Sequence, residues 1–314
     1  MLNLNLWSSD QLIMKNKFNA IVIAGPTGVG KTSLSIKLAK ALKGEIISAD
    51  SAQVFKELNI GTAKITPEEM LGVPHHLIDI LPPVKKYSVG DFQKDSEKVL
   101  KELEDKGIFP IVVGGTGLYL DSITEGLSKL PPADKELREQ LSKKSTEELY
   151  SQLSDLDGEA AKNIHPNNRV KIERALEVCI LSKDKFSSLS KQNIKNNNFS
   201  FLKVALERDR DYLYSRINER VDIMIASGLI EEVTSLYKKY GESLKKLNII
   251  GYSEIISHLD GAITLDEAIN KIKQNSRNYA KRQFTWFKNS KGYVWYDLDK
   301  ISESEIIDDI LNKL

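Results

Sequence analysis

Residues 21–32 read Ile-Val-Ile-Ala-Gly-Pro-Thr-Gly-Val-Gly-Lys-Thr, a short apolar run followed by the spacing G-x-x-x-x-G-K-T. A loop of such small residues lets several backbone N–H groups converge on one anion, and a following helix adds its positive N-terminal end. Lys31 then neutralises phosphate oxygens, while the Thr32 hydroxyl can hold a Mg²⁺ ion. Gly25, Pro26, Thr27, Gly28, Val29, Gly30, Lys31 and Thr32 therefore read as a P-loop gripping a polyphosphate. A bare glycine-rich turn is the bland alternative, and the flanking text speaks against it.

On one flank, Ala20–Ala24 has the pattern of a buried strand. On the other, Leu34, Leu38, Ala41 and Leu42 recur on one helix face. Glu45–Ala49 is a second strand, with Asp50-Ser51-Ala52-Gln53 at its end, and His76–Ile80 is a third apolar segment. Ser88 caps a helix running to Lys106, which Gly107 stops. Phe109–Val113 is an inner strand that ends in Gly114-Gly115-Thr116-Gly117, before a helix opening at Leu118. This alternation predicts an α/β fold, a P-loop NTPase-like parallel sheet flanked by helices. Ligands of such sheets lie beyond the carboxyl ends of the strands. The P-loop, Asp50 and Gly114–Gly117 should thus meet at one crevice. Glycines end the Phe109 strand where a hydrolysing P-loop enzyme commonly carries a Mg²⁺-binding Asp, which argues against an ordinary ATPase. Asp79 could be offered instead, but its short Pro-bounded segment speaks against it.

Residues 125–200 change character: charged helical text, a turn at 163–168, a helix over Arg169–Leu181, then an Asn-rich polar connection over Gln192–Ser200. They read as a mostly helical insertion between core segments 18–124 and 201–314. In the second core segment, Phe201–Glu207 and Tyr293–Asp297 read as strands. Between them, Asp211–Tyr240 reads as a long helix with a break at Gly228, carrying Tyr212, Arg216 and Arg220 on one face. Residues 1–17 read as a poorly ordered leader, with Met14 as an alternative start.

Composition excludes several classes. One cysteine, Cys179, allows no internal disulfide and no multi-cysteine zinc module, and four histidines form no evident metal cluster. No apolar run approaches the roughly 20 residues of a membrane span, so the expected compartment is the cytoplasm. Net charge is only +1, yet residues 270–296 hold seven Lys/Arg and no acidic residue, interleaved with Tyr279, Phe284, Trp286 and Phe287. Such a stripe is an electrostatic footprint for phosphates; a solvated helix face is the competing explanation.

Taken together, these stretches resemble the bacterial tRNA dimethylallyltransferases (tRNA isopentenylpyrophosphate transferases) over about residues 18–300. Besides the P-loop, the matching text is Ser-Ala-Asp-Ser-Ala-Gln at 48–53, Asn-Ile-Gly-Thr-Ala-Lys at 59–64, Pro-His-His-Leu-Ile-Asp at 74–79 and Gly-Gly-Thr-Gly-Leu-Tyr at 114–119. His-Pro-Asn-Asn at 165–168, Arg-Ala-Leu-Glu-Val at 174–178, Gly-Tyr at 251–252 and Lys-Arg-Gln-Phe-Thr-Trp at 281–286 complete it. Asn168 replaces the usual Asp, and Phe55 a common Tyr.

The resemblance implies transfer of a dimethylallyl group from its diphosphate to the exocyclic amine of the adenine 3′ of a tRNA anticodon. It implies Asp50 as base, Lys31, Thr27 and Arg220 at the diphosphate, and Mg²⁺ on Thr32. Acceptor contacts implied are Asp50, Ser51, Ala52, Gln53, Thr116, Arg138, Val170, Lys171, Ile172, Glu173, Arg174, Gly251, Tyr252, Lys281 and Arg282. The expected partners are the tRNA anticodon stem-loop and dimethylallyl diphosphate, with no membrane and a monomeric enzyme. A small-molecule P-loop kinase and an adenylate prenyltransferase are the competing readings.

Overall fold

Five consecutive apolar residues, Ala20–Ala24, are fully buried and form strand β1. In this computed structural model, which describes residues 17–195 and 197–314, β1 lies inside a six-stranded sheet. The other strands are β2 (Glu45–Ala49), β3 (His75–His76), β4 (Pro110–Gly114), β7 (Phe201–Glu207) and β8 (Tyr293–Asp297). Their order is β3-β2-β4-β1-β7-β8, and every pairing is parallel. The expected leader lies outside the described residues, except for residue 17.

Helices of this unit are α1 (Lys31–Leu42), α2 (Val89–Asp105), α3 (Gly117–Thr124), α9 (Arg210–Ala226), α10 (Leu229–Tyr240), α11 (Glu242–Lys245), α12 (Tyr252–Leu259), α13 (Leu265–Asn289) and α14 (Glu303–Lys313). Because alternate strand residues face opposite ways, β1 feeds two cores. Ile21 and Ile23 pack with Leu34, Leu38, Ile306 and Ile310 on one face. Val22 and Ala24 pack with Phe92, Leu100, Leu120 and Phe287 on the other. Covering both faces explains why the strands read as unbroken apolar runs. Ser88 caps α2 with a reciprocal bond to Asp91, as its position suggested. The long helix expected over 211–240 is two, because Gly228 turns the chain with φ 96°.

Glu125–Asn196 form a second unit. It comprises α4 (Lys135–Ser142), α5 (Thr146–Leu156), α6 (Gly158–Asn163), α7 (Arg169–Ser182), α8 (Phe186–Leu189) and a small antiparallel pair, β5 (Leu127–Ser128) with β6 (Asn193–Ile194). Its own core gathers Leu149, Leu153, Ile172 and Leu176. Residues 197–200, counted with the insertion on composition, belong to the sheet unit: Asn197 Nδ2 donates to the Ile123 carbonyl and Phe199 is buried.

Candidate active site

The P-loop leaves β1 and enters α1 through Gly30, whose φ of 119° is a conformation L side chains rarely adopt. Around this loop the side chains are cationic. Lys31 Nζ donates to the carbonyls of Gly25 and Pro26, 2.9 Å each. Arg220 Nη1 donates to Thr27 Oγ1 at 3.1 Å, and Arg216 Nε to the Gly28 carbonyl at 3.0 Å. Arg208, itself paired with Asp299 at 2.6 Å, donates to the Val29 carbonyl at 3.0 Å. Burial lowers the Lys31 ammonium to about 8; Asp50 opposes that shift and Arg220 adds to it. Burial likewise pulls the Arg220 guanidinium down, with Asp50 supporting its charge and Arg216 opposing it. A cluster of crowded cations held by a glycine loop is stabilised by gaining an anion.

Asp50 follows β2 and Gly114 ends β4, so both flank the P-loop at the carboxyl edge of the sheet. A cavity of about 80 Å³ is lined by Lys31, Thr32, Ser48, Asp50, Gln53 and Gly114, among others. The crevice expected from strand order is therefore present. Asp50 Oδ1 accepts from the Ala52 and Gln53 amides at 2.9 and 3.3 Å. The residue thus caps the turn that follows it with one oxygen, leaving Oδ2 as the oxygen to meet a ligand. Thr116 Oγ1 accepts from the Ser51 amide at 3.2 Å, joining the two strand ends. Tyr119, pushed up to about 12 by burial and by Asp50, and Tyr279, raised by the same two causes, stand near that carboxylate.

Gln53 Nε2 donates to the Thr62 and Ala63 carbonyls at 3.3 Å, which engages its amide within the protein. Tyr252 is a correction: it is 1% exposed, too buried for its side chain to meet RNA. Its hydroxyl donates to Glu232 Oε1 at 2.5 Å. The same carboxylate accepts from the Asn59, Ile60 and Gly61 amides at 3.1, 2.8 and 3.2 Å. Glu232 and Tyr252 thereby fix the 59–64 turn, whose carbonyls in turn hold Gln53. Asp79 is committed to Lys64 at 2.5 Å.

In the insertion, Arg138 and Arg174 share one buried carboxylate, Glu177. Arg138 meets it through Nε and Nη2 at 2.7 and 2.8 Å, Arg174 through Nη1 at 2.6 Å. Burial alone would raise Glu177, but bonds from both arginines and the Asp134 amide hold it at about 2. Val170 and Lys171 are exposed at the start of α7, where Asn168 caps the helix through the Lys171 amide. Glu173 pairs with Arg169 at 2.7 Å. Ile172 is a second correction, since it is wholly inside the unit's core.

Most of the basic stripe lies on α13, and it is only partly a free surface. Lys273 pairs with Asp222 at 2.6 Å and Lys288 with Glu207 at 2.9 Å. Phe287 is buried and Phe284 packs on Trp295, so these two serve the core, while Trp286 is 41% exposed. Lys271, Lys281, Arg282 and Lys291 remain exposed.

A family model described as IPP transferase matches residues 53–290, and one described as isopentenyl transferase matches 18–81. The chain belongs to the IPP transferase family. Among family members, a tRNA dimethylallyltransferase of Fusobacterium nucleatum is 62% identical over 288 residues, 92% of this chain and 94% of the relative. The crystal structure of a tRNA isopentenylpyrophosphate transferase from Bacillus halodurans is 42% identical, with a TM-score of 0.71 over 95% of this chain and 97% of that one. A eukaryotic dimethylallyltransferase acting on tRNA gives a TM-score of 0.80 at 28% identity, covering 94% and 80%. The 281–286 stretch contains Gln283, to which the sequence analysis above assigns no role. Glu177 lies in the quoted 174–178 stretch without a role and Glu232 went unnoticed, because a sequence does not show which carboxylate distant partners hold.

Proposed function

We propose that the chain transfers a dimethylallyl group from dimethylallyl diphosphate to N6 of the adenosine 3′ of the anticodon in tRNA, as a cytoplasmic monomer. The observation that carries this is the pairing of a cationic P-loop with Asp50 across one small crevice, in a member of this family. The N6 lone pair attacks C1 of the dimethylallyl group as the C1–O bond breaks, and the diphosphate departs with the bonding electrons. The P-loop amides, Lys31 and Arg220 stabilise the charge building on the departing oxygens. Thr27, held by Arg220, offers its hydroxyl to the bridging oxygen. An adenine amine is a poor nucleophile because its lone pair is delocalised. Asp50 accepts one of its protons as the new bond forms, which restores reactivity.

Mg²⁺, when bound, adds charge neutralisation at the diphosphate. The residues present fit it: Thr32, which would hold it, lines the cavity beside Lys31. Among the described residues no group of three or more His, Cys, Asp or Glu forms a cage, which suits an ion held mainly by substrate oxygens and water. Arg138, Val170, Lys171, Arg174, the Gly251 backbone, Lys281 and Arg282 are assigned to the RNA, with Ser51, Ala52 and Thr116 near the target base. A base read out of its stack suits a single-stranded anticodon loop. Support for a cytoplasmic enzyme is that no described helix is long and apolar enough to cross a membrane.

A kinase reading lacks a carboxylate at the end of β4, and the insertion with α13 favours a polymeric acceptor over free adenylate. Incubating the protein with carbon-labelled dimethylallyl diphosphate and bulk tRNA, then analysing nucleosides, should give labelled N6-dimethylallyladenosine. Label confined to free adenine nucleotides, or ADP formed from ATP and a small acceptor, would reject the assignment.

A further inference from the structure

Gln283 is a polar side chain only 6% exposed, on the face of α13 that turns toward the P-loop. Its Oε1 accepts from the Thr27 amide at 2.8 Å, and its Nε2 donates to the Gly115 carbonyl at 2.9 Å. A Cβ added at Gly115 would lie 2.1 Å from that Nε2, so the glycine is what admits the carboxamide. One turn earlier Tyr279 stands beside the side chains of Thr116 and Gln283. One turn later the Trp286 indole lies against Gly117 and donates to Asp121 at 2.9 Å. The Gly-Gly-Thr-Gly strand end is therefore a seat for one helix face, and Gln283 is the part of that face that reaches the P-loop.

We infer that Gln283 is a positioning residue for the donor diphosphate: by fixing the Thr27 peptide against Gly115 it aims the Thr27 hydroxyl and the adjoining loop amides. This rests on the function proposed above. Its carboxamide spans two backbone groups, the Thr27 amide and the Gly115 carbonyl, so its effect passes through Thr27. Replacing it by leucine keeps approximate volume and leaves a half-buried amide and a buried carbonyl without this partner. Alanine at Gly115 pushes the same carboxamide away from the other side.

The test uses the full chain with tRNA and dimethylallyl diphosphate. For Gln283→Leu and for Gly115→Ala, KM for the diphosphate should rise at least tenfold, while tRNA affinity by filter binding stays within threefold. The double variant should be no worse than the more impaired single, because both disturb one contact. A donor KM within twofold of wild type in a folded Gln283→Leu protein overturns the inference. So does a loss of tRNA affinity with donor KM unchanged, or full additivity in the double variant. An inactive wild-type protein would instead reject the function on which the inference rests.

Discussion

Asp50 caps a turn and is proposed as the base, and substitutions can separate the two roles. Oδ1 caps the turn through the Ala52 and Gln53 amides, a task an asparagine oxygen also performs. Proton acceptance requires the carboxylate. Asp50→Asn is expected to leave tRNA affinity within a few-fold and cut turnover about 100-fold or more, with Asp50→Ala similar in turnover. Single-turnover assays at saturating tRNA check this, and near-normal turnover in either variant removes Asp50 from the mechanism. Lys31 gives a pH test. With its free-state pKa lowered to about 8, the ammonium is charged below that value and progressively neutral above it, whereas a bound diphosphate keeps it protonated. Donor capture therefore weakens as pH rises: kcat/KM for the diphosphate should fall through pH 8, by up to about tenfold per unit. Lys31→Arg should flatten that limb, because guanidinium stays charged. A wild-type profile level to pH 9.5 contradicts the assignment.

Among the elements, strands and helices were largely legible, because period and capping residues carry them locally. Ser88 and Gly228 marked a helix start and a break that the structure contains. What the text hid was pairing between distant polar groups: Glu232 with 59–61, Glu177 with Arg138, Gln283 with Thr27. These depend on tertiary contact, and no local pattern encodes them. Tyr252 shows the cost of reading motif membership as surface contact. Its ring packs against Gly61 and its hydroxyl serves Glu232. Tyr252→Phe should destabilise folding by roughly 1–2 kcal/mol in denaturant melts and leave tRNA affinity unchanged. A variant of full stability that binds tRNA tenfold more weakly would return the side chain to the RNA surface.

For the molecule as a whole, the sheet unit supplies an anion cradle and a carboxylate at one strand edge. The insertion supplies a separate core with exposed cationic side chains. The P-loop motif is shared by enzymes that break a phosphorus–oxygen bond. Here the bond proposed to break is carbon–oxygen, with the whole diphosphate leaving intact. Donor labelled with ¹⁴C in the prenyl group and ³²P in the terminal phosphate distinguishes the two directly. The account predicts ¹⁴C on tRNA and ³²P released as inorganic pyrophosphate, one for one. Transfer of ³²P to any acceptor, or its release as orthophosphate with no ¹⁴C on RNA, would contradict it.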